Sequence, residues 1–557
     1  MKDEILKIIK ESVDSLALPG SPMGNETEFE VSVPKKKEFG DFSTNAALVI
    51  GSMKGKNPRE VAQEIVEAIE QRQHGFIERL DIAGPGFINF FVNETLFESQ
   101  LREILRLGEK YGASREGSGQ RVIVEFVSAN PTGYLHFGHA RNAVVGDSVC
   151  RMLSFCGYEV IREFYINDAG RQMDMLGESV YSALARSCGL ARELPEDGYH
   201  GEYISELAGE IKKSEECPQV PGDESEAIEF CREFAYSRLL EEIKTDLLDL
   251  RVNFDNWYSE RIEIHGRGSE ERKLDKTLAK LEDLGTVERK EQALWFKASL
   301  YGDGKDWVII KKDGAPTYFL SDIAYHMDKY SRGFSKLINV WGADHHSHVL
   351  RLKSSMKALG LDESSLHVLL IQFVRLVREG VEVPMSKRTG DFVTLREVLR
   401  EVGCDATRFF LLMRSSDSHL DFDLSLAKKE SSENPVYYVQ YANARISSLM
   451  RNSEEAGISA SEEHLNLLSN DEERNIMKIL LRFPEVVRSA AESLSPHKVV
   501  YYLQELAAEF HFYYNKTRIL DSENTDMASA RLCLARYVQV VIENGLGLLG
   551  INAPRSM

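Results

Sequence analysis

Two imidazoles flank a glycine at His136-Phe137-Gly138-His139, and their surroundings suggest a use for them. Ahead of them Val122, Ile123, Val124, Phe126 and Val127 form a nearly continuous apolar run, the pattern of a strand covered on both faces. Asn130-Pro131-Thr132-Gly133 supplies a turn, with Pro131 ending the strand, Thr132 able to hydrogen-bond locally and Gly133 free to adopt positive φ. From His136 the chain runs on through Ala140, Val144, Asp147, Ser148 and Arg151 without a breaker, which predicts a helix. The histidines thus fall on the first turn of a helix that follows a core strand. Unsatisfied N–H groups and the positive dipole end favour phosphate there, the imidazoles add donors, and a glycine lets a flat ligand approach the backbone. The plain alternative is that they only cap a core helix.

Three further groups carry chemistry. Tyr318 and Asp322 stand four apart at the start of a predicted helix and share one face; a carboxylate facing a pocket there suits a cationic substrate, although an aspartate near a helix N-terminus also needs no ligand. Asp344, His345, His346 and His348 crowd together after a predicted strand at 336–341, but His345 and His348 lack the outlying partners of a metal site. The stretch 381–390, VEVPMSKRTG, reads as a loop rich in donors, with Lys387 and Arg388 as its cations.

The elements that must position these groups alternate in period. The first 112 residues read as a small α+β unit, opening with a helix marked by Ile5, Ile8, Ile9 and Val13, then a strand at Phe29, Val31 and Val33. A second core strand at 163–166 closes a right-handed βαβ unit and ends at Asn167-Asp168, where ligands of open parallel sheets sit and where a helix cap is equally natural. Residues 180–292 are charged and carry no catalytic string, so they read as an insertion. Beyond 425 the stripes Val500, Leu503, Ala507, Phe510, Tyr514 and Leu534, Val538, Val541, Leu548 predict an all-helical bundle.

The string EFVSANPTG running into HFGH resembles class I aminoacyl-tRNA synthetases, and arginyl-tRNA synthetases in particular. GDFSTNAA at 40–47, AGPGFINF at 83–90, YINDAGRQ at 165–172, the Tyr318 and Asp322 segment, NPVYYVQYANARI at 434–446 and the ending GLGLLGINAP extend the resemblance over nearly the whole chain. PMSKR at 384–388 resembles the second class I signature, with proline in place of its first lysine and arginine in place of its final serine. The resemblance implies an N-terminal tRNA-contacting domain over 1–112, a Rossmann-like nucleotide-binding catalytic domain over 113–424 with the loop at 384–390, and a helical anticodon-binding domain over 425–557. It implies catalysis by His136, His139 and Lys387. ATP, as its Mg²⁺ complex, would meet His136, Gly138, His139, Asp344, Met385, Ser386 and Lys387. Arginine would meet Glu125, Ser128, Asn130, His139, Tyr318 and Asp322, and tRNA would meet Phe42, Asn45, Tyr441, Arg445, Tyr513 and Lys516.

Composition bounds the rest. A chain of 557 residues suggests about three or four domains. With 68 basic against 88 acidic residues and a net charge of −20, any RNA surface must be locally basic. Seven cysteines without a Cys-x-x-Cys pair point to a reducing compartment and to no zinc. With no apolar leader at Met1 and no bilayer-length apolar run, the expectation is a cytoplasmic monomer. The activity expected is arginine activation by ATP followed by transfer to tRNA. The competing readings are another class I synthetase or adenylyltransferase, disfavoured by the GDFST and QYANAR strings, and a silent RNA-binding relative, disfavoured by intact His136, His139 and Lys387.

Overall fold

The structure, a computed structural model, describes residues 2–557 apart from 17–28, 33, 35, 73, 93, 268–271 and 384–392. Two compact units form: one from 1–111, 449–482 and 509–541, the other from 112–448, 483–508 and 542–557.

In the first unit, helix α1 (Lys2–Ser15) buries Ile5, Ile8 and Ile9 at helical spacing. Strands β1 (Val31–Ser32) and β2 (Phe42–Thr44) are followed by α2 (Ala46–Lys54), α3 (Pro58–Gln71), β3 (Ile77–Ala83) and β4 (Phe87–Val92). Residue 33, expected in the first strand, lies outside the described residues. The sheet runs β1-β2-β4-β3, antiparallel throughout. Asn57 caps α3 by accepting from the Arg59 N–H, and Pro58 at the first helical position gives up no needed donor. Ile9, Ile50, Val61, Ile65, Ile88 and Phe90 fill the core between the helices and the sheet. Helix α4 (Glu94–Leu107) ends this N-terminal stretch.

The second unit is built on a five-stranded parallel sheet. Strand β5 (Arg121–Glu125) leads to α5 (Phe137–Phe155) and β6 (Glu159–Ile166), then to α6 (Arg171–Ser187), α7 (Glu202–Lys213), α8 (Glu224–Asp249) and β7 (Asn256–Ser259). After α9 (Lys273–Asp283) come β8 (Val287–Lys290), β9 (Ala293–Phe296) and β10 (Trp307–Ile310), a small antiparallel sheet. Helix α10 (Tyr318–Ser331), β11 (Lys336–Gly342), α11 (His346–Ala358) and β12 (Leu366–Ile371) complete the main sheet, whose order is β12-β11-β5-β6-β7. Its register places Glu125 opposite Asn339 on one side and Glu163 on the other, a polar row across the strand ends. The stretch expected as an insertion contributes the edge strand β7, paired in parallel with β6. Its four residues, Asn-Trp-Tyr-Ser, are too short and too polar to show a period. Trp257 holds it in place by stacking on Phe164 at 4.6 Å between ring centroids.

A last sheet joins β13 (Val374–Arg378), β14 (Val381–Val383) and, after α12 (Leu395–Val402) and α13 (Cys404–Leu412), β15 (Leu420–Asp423). Beyond the short α14 (Leu424–Ala427) the chain is helical: α15 (Pro435–Glu455), α16 (Asp471–Glu492), α17 (His497–Lys516) and α18 (Thr525–Leu548). Val500, Leu503, Ala507 and Phe510 of the first expected stripe are buried, as are Leu534, Val538, Val541 and Leu548 of the second.

Candidate active site at the end of the parallel sheet

The turn after β5 is not made as the sequence suggested. Gly133 is not among the positive-φ residues; the left-handed positions are Val127 at φ 65° and Ser128 at φ 44°. A β-branched residue there is strained, so something must hold it. Asn142 on α5 does so, accepting the Val127 N–H at 2.7 Å and donating to the Val340 carbonyl at 2.8 Å, which ties the turn to β11. Ser128 donates its hydroxyl to Glu125 Oε1 at 2.9 Å and accepts the Tyr165 N–H at 3.2 Å, which ties it to β6. Asn130 is exposed beyond this point.

Helix α5 then begins with His136 as its N-cap residue. The His136 and His139 rings stack with centroids 3.7 Å apart. Gly138 is required by that stack, because a Cβ at this position would lie 2.8 Å from His136 Nδ1. Gly146 is required further along, where a Cβ would come within 2.4 Å of the Phe126 ring; its absence lets α5 lie close over β5. Arg141, fully buried, donates to the carbonyls of Gln372, Ser418 and Ser415 at 2.7 to 2.9 Å, and burial lowers its guanidinium to about 10.

Helix α10 supplies the opposing carboxylate. Tyr318 stands exposed on its first turn, close enough to the loop after β6 that a Cβ on Gly170 would lie 3.8 Å from its hydroxyl. Asp322, one turn on, has Oδ2 2.8 Å from His348 Nε2. His348 is enclosed by Phe319 and Trp341, with ring centroids at 5.9 and 5.5 Å. His326 Nδ1 lies 2.8 Å from the Asp322 carbonyl, which can only accept, so Nδ1 carries the proton and Nε2 accepts from Asn339 Nδ2 at 2.6 Å. Burial, with Lys329 nearby, keeps this imidazole neutral well below the usual histidine range.

From Asn339 the polar chain continues to the opposite side of the site. Lys329, fully buried, donates to Asn339 Oδ1 at 2.9 Å and to Glu125 Oε2 at 2.8 Å. Asp322, His326, Asn339, Lys329, Glu125 and Ser128 are therefore joined in one relay. Glu125 has both oxygens engaged, by Lys329 and Ser128. Beside it Glu163 accepts a bidentate fork from Arg332 and the Tyr325 hydroxyl; burial pushes its carboxyl up, but the Arg332 and Lys329 cations outweigh that and leave it low. Asp168 is no helix cap, since Gly170 occupies that position. It is buried and accepts from the Ser259 hydroxyl at 2.6 Å, the Tyr236 hydroxyl at 3.1 Å and the Arg261 N–H at 2.9 Å, fixing β7 to the end of β6.

Of the other expected residues, Asp344 is exposed at the end of β11, with His345 Nε2 3.5 Å from its Oδ2. Met385, Ser386 and Lys387 lie outside the described residues. Tyr441 and Arg445 sit one turn apart on α15, with the guanidinium 4.8 Å over the Tyr441 ring and the Tyr437 ring stacked with it at 6.1 Å between centroids. Two expectations need correction. Phe42 is 6% exposed and belongs to the apolar core of the first unit, and Tyr513 is fully buried with its hydroxyl donating to Glu473. Neither ring offers a face to RNA; an aromatic residue in an apolar stripe packs inward unless its neighbours leave it uncovered. Asn45 accepts the Glu30 N–H at 2.8 Å, and Lys516 is exposed and paired with Glu472. Asn142, His326, Lys329 and Asn339 were not anticipated. Polar residues inside otherwise apolar helical and strand patterns were their only signal.

Known proteins match the chain along its length. A family model described as the arginyl tRNA synthetase N terminal domain matches residues 3–92, that of the tRNA synthetases class I (R) catalytic domain matches 100–411, and that of the DALR anticodon binding domain matches 439–557. The arginine–tRNA ligase of Bacillus licheniformis is 45% identical over 559 residues, covering 100% of this chain and 99% of that protein. That of Bacillus subtilis is 44% identical with the same coverage. The solved arginyl-tRNA synthetase of Thermus thermophilus shares the fold with a TM-score of 0.77 at 24% identity, covering 100% of both chains. The stacked histidines on α5, the relay behind Ser128 and Asp322, and the helical C-terminal region thus stand in a chain that belongs to the arginyl-tRNA synthetases of class I.

Proposed function

We propose that the site activates arginine by placing its guanidinium at Asp322 and Tyr318 and its reacting carboxylate toward an ATP held at the first turn of α5. The chain is an arginine–tRNA ligase, joining arginine to tRNA(Arg) with release of AMP and pyrophosphate. The arrangement that carries the site assignment is Asp322, with one carboxylate oxygen beside His348 and its carbonyl bound by His326, at the far end of a rigid relay from Ser128. A partly exposed carboxylate is what a planar donor fork requires.

Carboxylate attack on the α-phosphate needs positioning and charge neutralisation rather than covalent help from the protein. ATP enters as its Mg²⁺ complex. His136 and His139 donate to its phosphates at the α5 N-terminus, Gly138 leaves room beside the stacked rings, and Asp344, Met385 and Ser386 complete the nucleotide site. Lys387 stabilises pyrophosphate as its charge grows, an assignment that rests on the resemblance of 384–388. Ser128, Asn130 and His139 seat the amino-acid end of arginine, and Glu125 serves by holding Ser128. Tyr437, Tyr441 and Arg445 offer stacking surfaces for unpaired bases, while Asn45 and Lys516 are polar contacts for tRNA on the first unit.

Arginine-dependent exchange of pyrophosphate into ATP, with and without tRNA(Arg), tests the reaction: exchange requiring arginine and stimulated by tRNA is expected, and exchange driven equally by another amino acid would refute it. Sedimentation at the mass of one chain checks the proposed monomer. Among the described residues no helix is long and apolar enough to cross a membrane, consistent with the cytoplasmic location proposed for the enzyme.

A further inference from the structure

Helices α7 and α8 have entered the site so far only through Tyr236 of α8 at Asp168, yet their polar side chains also converge on the segment that carries His136. The backbone just before α5 is paired with residues 393–395: His136 and Thr394 form an antiparallel bridge, the Phe137 N–H donates to the Val393 carbonyl at 3.2 Å, and the Leu395 N–H donates to the Leu135 carbonyl at 2.9 Å. Thr394 in turn begins α12 through a reciprocal capping box with Glu397. Two residues after Thr394, Arg396 reaches from α12 to α8, where Nε donates to Asp246 Oδ1 at 2.9 Å and Nη2 to Glu242 Oε2 at 2.5 Å. Its guanidinium also lies 5.1 Å over the ring of Tyr134, two residues before His136. Tyr134 is held from the other side, where its hydroxyl donates to Glu206 on α7 at 3.2 Å and its ring meets that of Tyr203 at 5.6 Å.

We propose that Arg396 is a positioning residue for adenylate formation, clamping the His136 turn to α8 so that the imidazole stack keeps its place at the phosphates. The inference rests on the assignment of His136 to ATP. A planar guanidinium can bridge two carboxylates and stack on a ring at once, whereas an ammonium supplies a point charge and cannot do all three. Asp246 is 1% exposed, so water competes little for the oxygen that accepts from Arg396. The backbone pairing at 393–395 transmits the position of Arg396 to residues 135–137 without any contact between Arg396 and substrate.

Pyrophosphate exchange on purified full-length variants tests this, with thermal denaturation confirming folding. Arg396→Ala is expected to lower kcat about tenfold or more and to raise the KM for ATP severalfold, leaving the KM for arginine within twofold of the parent. Arg396→Lys is expected to recover only part of the loss. In a His136→Ala background, Arg396→Ala is expected to add less than a twofold effect, because the group it positions is gone. The same loss in both backgrounds, an equal rise in the arginine KM, or parent activity for Arg396→Ala would overturn the proposal. If Arg396→Ala does not fold, Glu242→Gln and Tyr134→Leu remove one support each and are read in the same way. His136→Ala with undiminished exchange would instead refute the assignment of His136 to ATP, a separate failure.

Discussion

Replacing Asp322 with asparagine keeps the size and hydrogen-bonding shape of the side chain and removes its charge. The structure sets how much that charge contributes to arginine binding. The Asp322 side chain is 33% exposed, with Oδ2 at 2.8 Å from His348 Nε2, so the carboxylate is half-sheltered. Two charge-assisted hydrogen bonds from a guanidinium fork would be worth about 3 to 6 kcal/mol if fully buried, and partial exposure reduces this to about 2 to 4 kcal/mol. That corresponds to a loss of arginine affinity on the order of 30- to 700-fold. ATP affinity should change by less than about twofold, because the residue stands on α10 and the phosphates are assigned to α5. Isothermal titration with each substrate, and pyrophosphate exchange at varied arginine, measure both quantities. Equal losses for arginine and ATP, or an arginine loss of less than about threefold, would refute the placement of the guanidinium at Asp322.

The remaining predictions concern charge elsewhere in the chain. Lys387→Ala should lower the single-turnover rate of adenylate formation by about a hundredfold or more, on the order of 3 to 4 kcal/mol, with a milder effect from Arg388→Ala; a larger loss at Arg388 would move the catalytic charge by one residue. Arg408 is fully buried and donates to the Leu549 and Leu250 carbonyls and to Asp147 at 2.5 to 2.9 Å. Arg408→Met should therefore cost about 3 to 5 kcal/mol in urea unfolding, since three acceptors lose their donor together. Asp246 is pushed up to about 6 from 3.8, by burial and by Glu242 and Asp249 against the pull of Arg396. An acid raised in this way binds its proton more tightly when folded, so its contribution to stability is present below pH 4 and is lost as pH rises through about 6. Asp246→Asn should accordingly gain about 2 to 3 kcal/mol at pH 7.5 and only about 1 kcal/mol at pH 4.5, flattening the dependence of Tm on pH; an unchanged slope would show that this carboxylate titrates normally.

Local order determined a large part of this protein. A parallel strand covered on both faces must be apolar along its length, so 122–127 announced β5, and a helix following a short turn put His136 and His139 on its first turn. The four-residue spacing of Tyr318 and Asp322 placed them on one face of α10, and apolar stripes marked α17 and α18 as packed helices. These are statements about the chain within one or two helical turns, where backbone geometry alone relates side chains. What holds the site lies at longer range. Asn142 grips Val127 from 15 residues away, Lys329 meets Glu125 across 204, and Arg396 meets Asp246 across 150. Nothing in the local pattern distinguishes a lysine bound for a buried carboxylate from one bound for solvent, because each pairing depends on which strand becomes whose neighbour. The same reason separates Tyr441 from Tyr513. Both lie on long C-terminal helices, and only tertiary packing within each unit left one ring exposed and covered the other. The turn at Val127 and Ser128 is a further case: glycine at 133 was the local candidate for positive φ, and long-range hydrogen bonds from α5 and β6 stabilised the strained conformation elsewhere. Periodicity reports which face of an element is apolar. Tertiary packing decides what covers that face and which polar groups are buried in fixed positions with it.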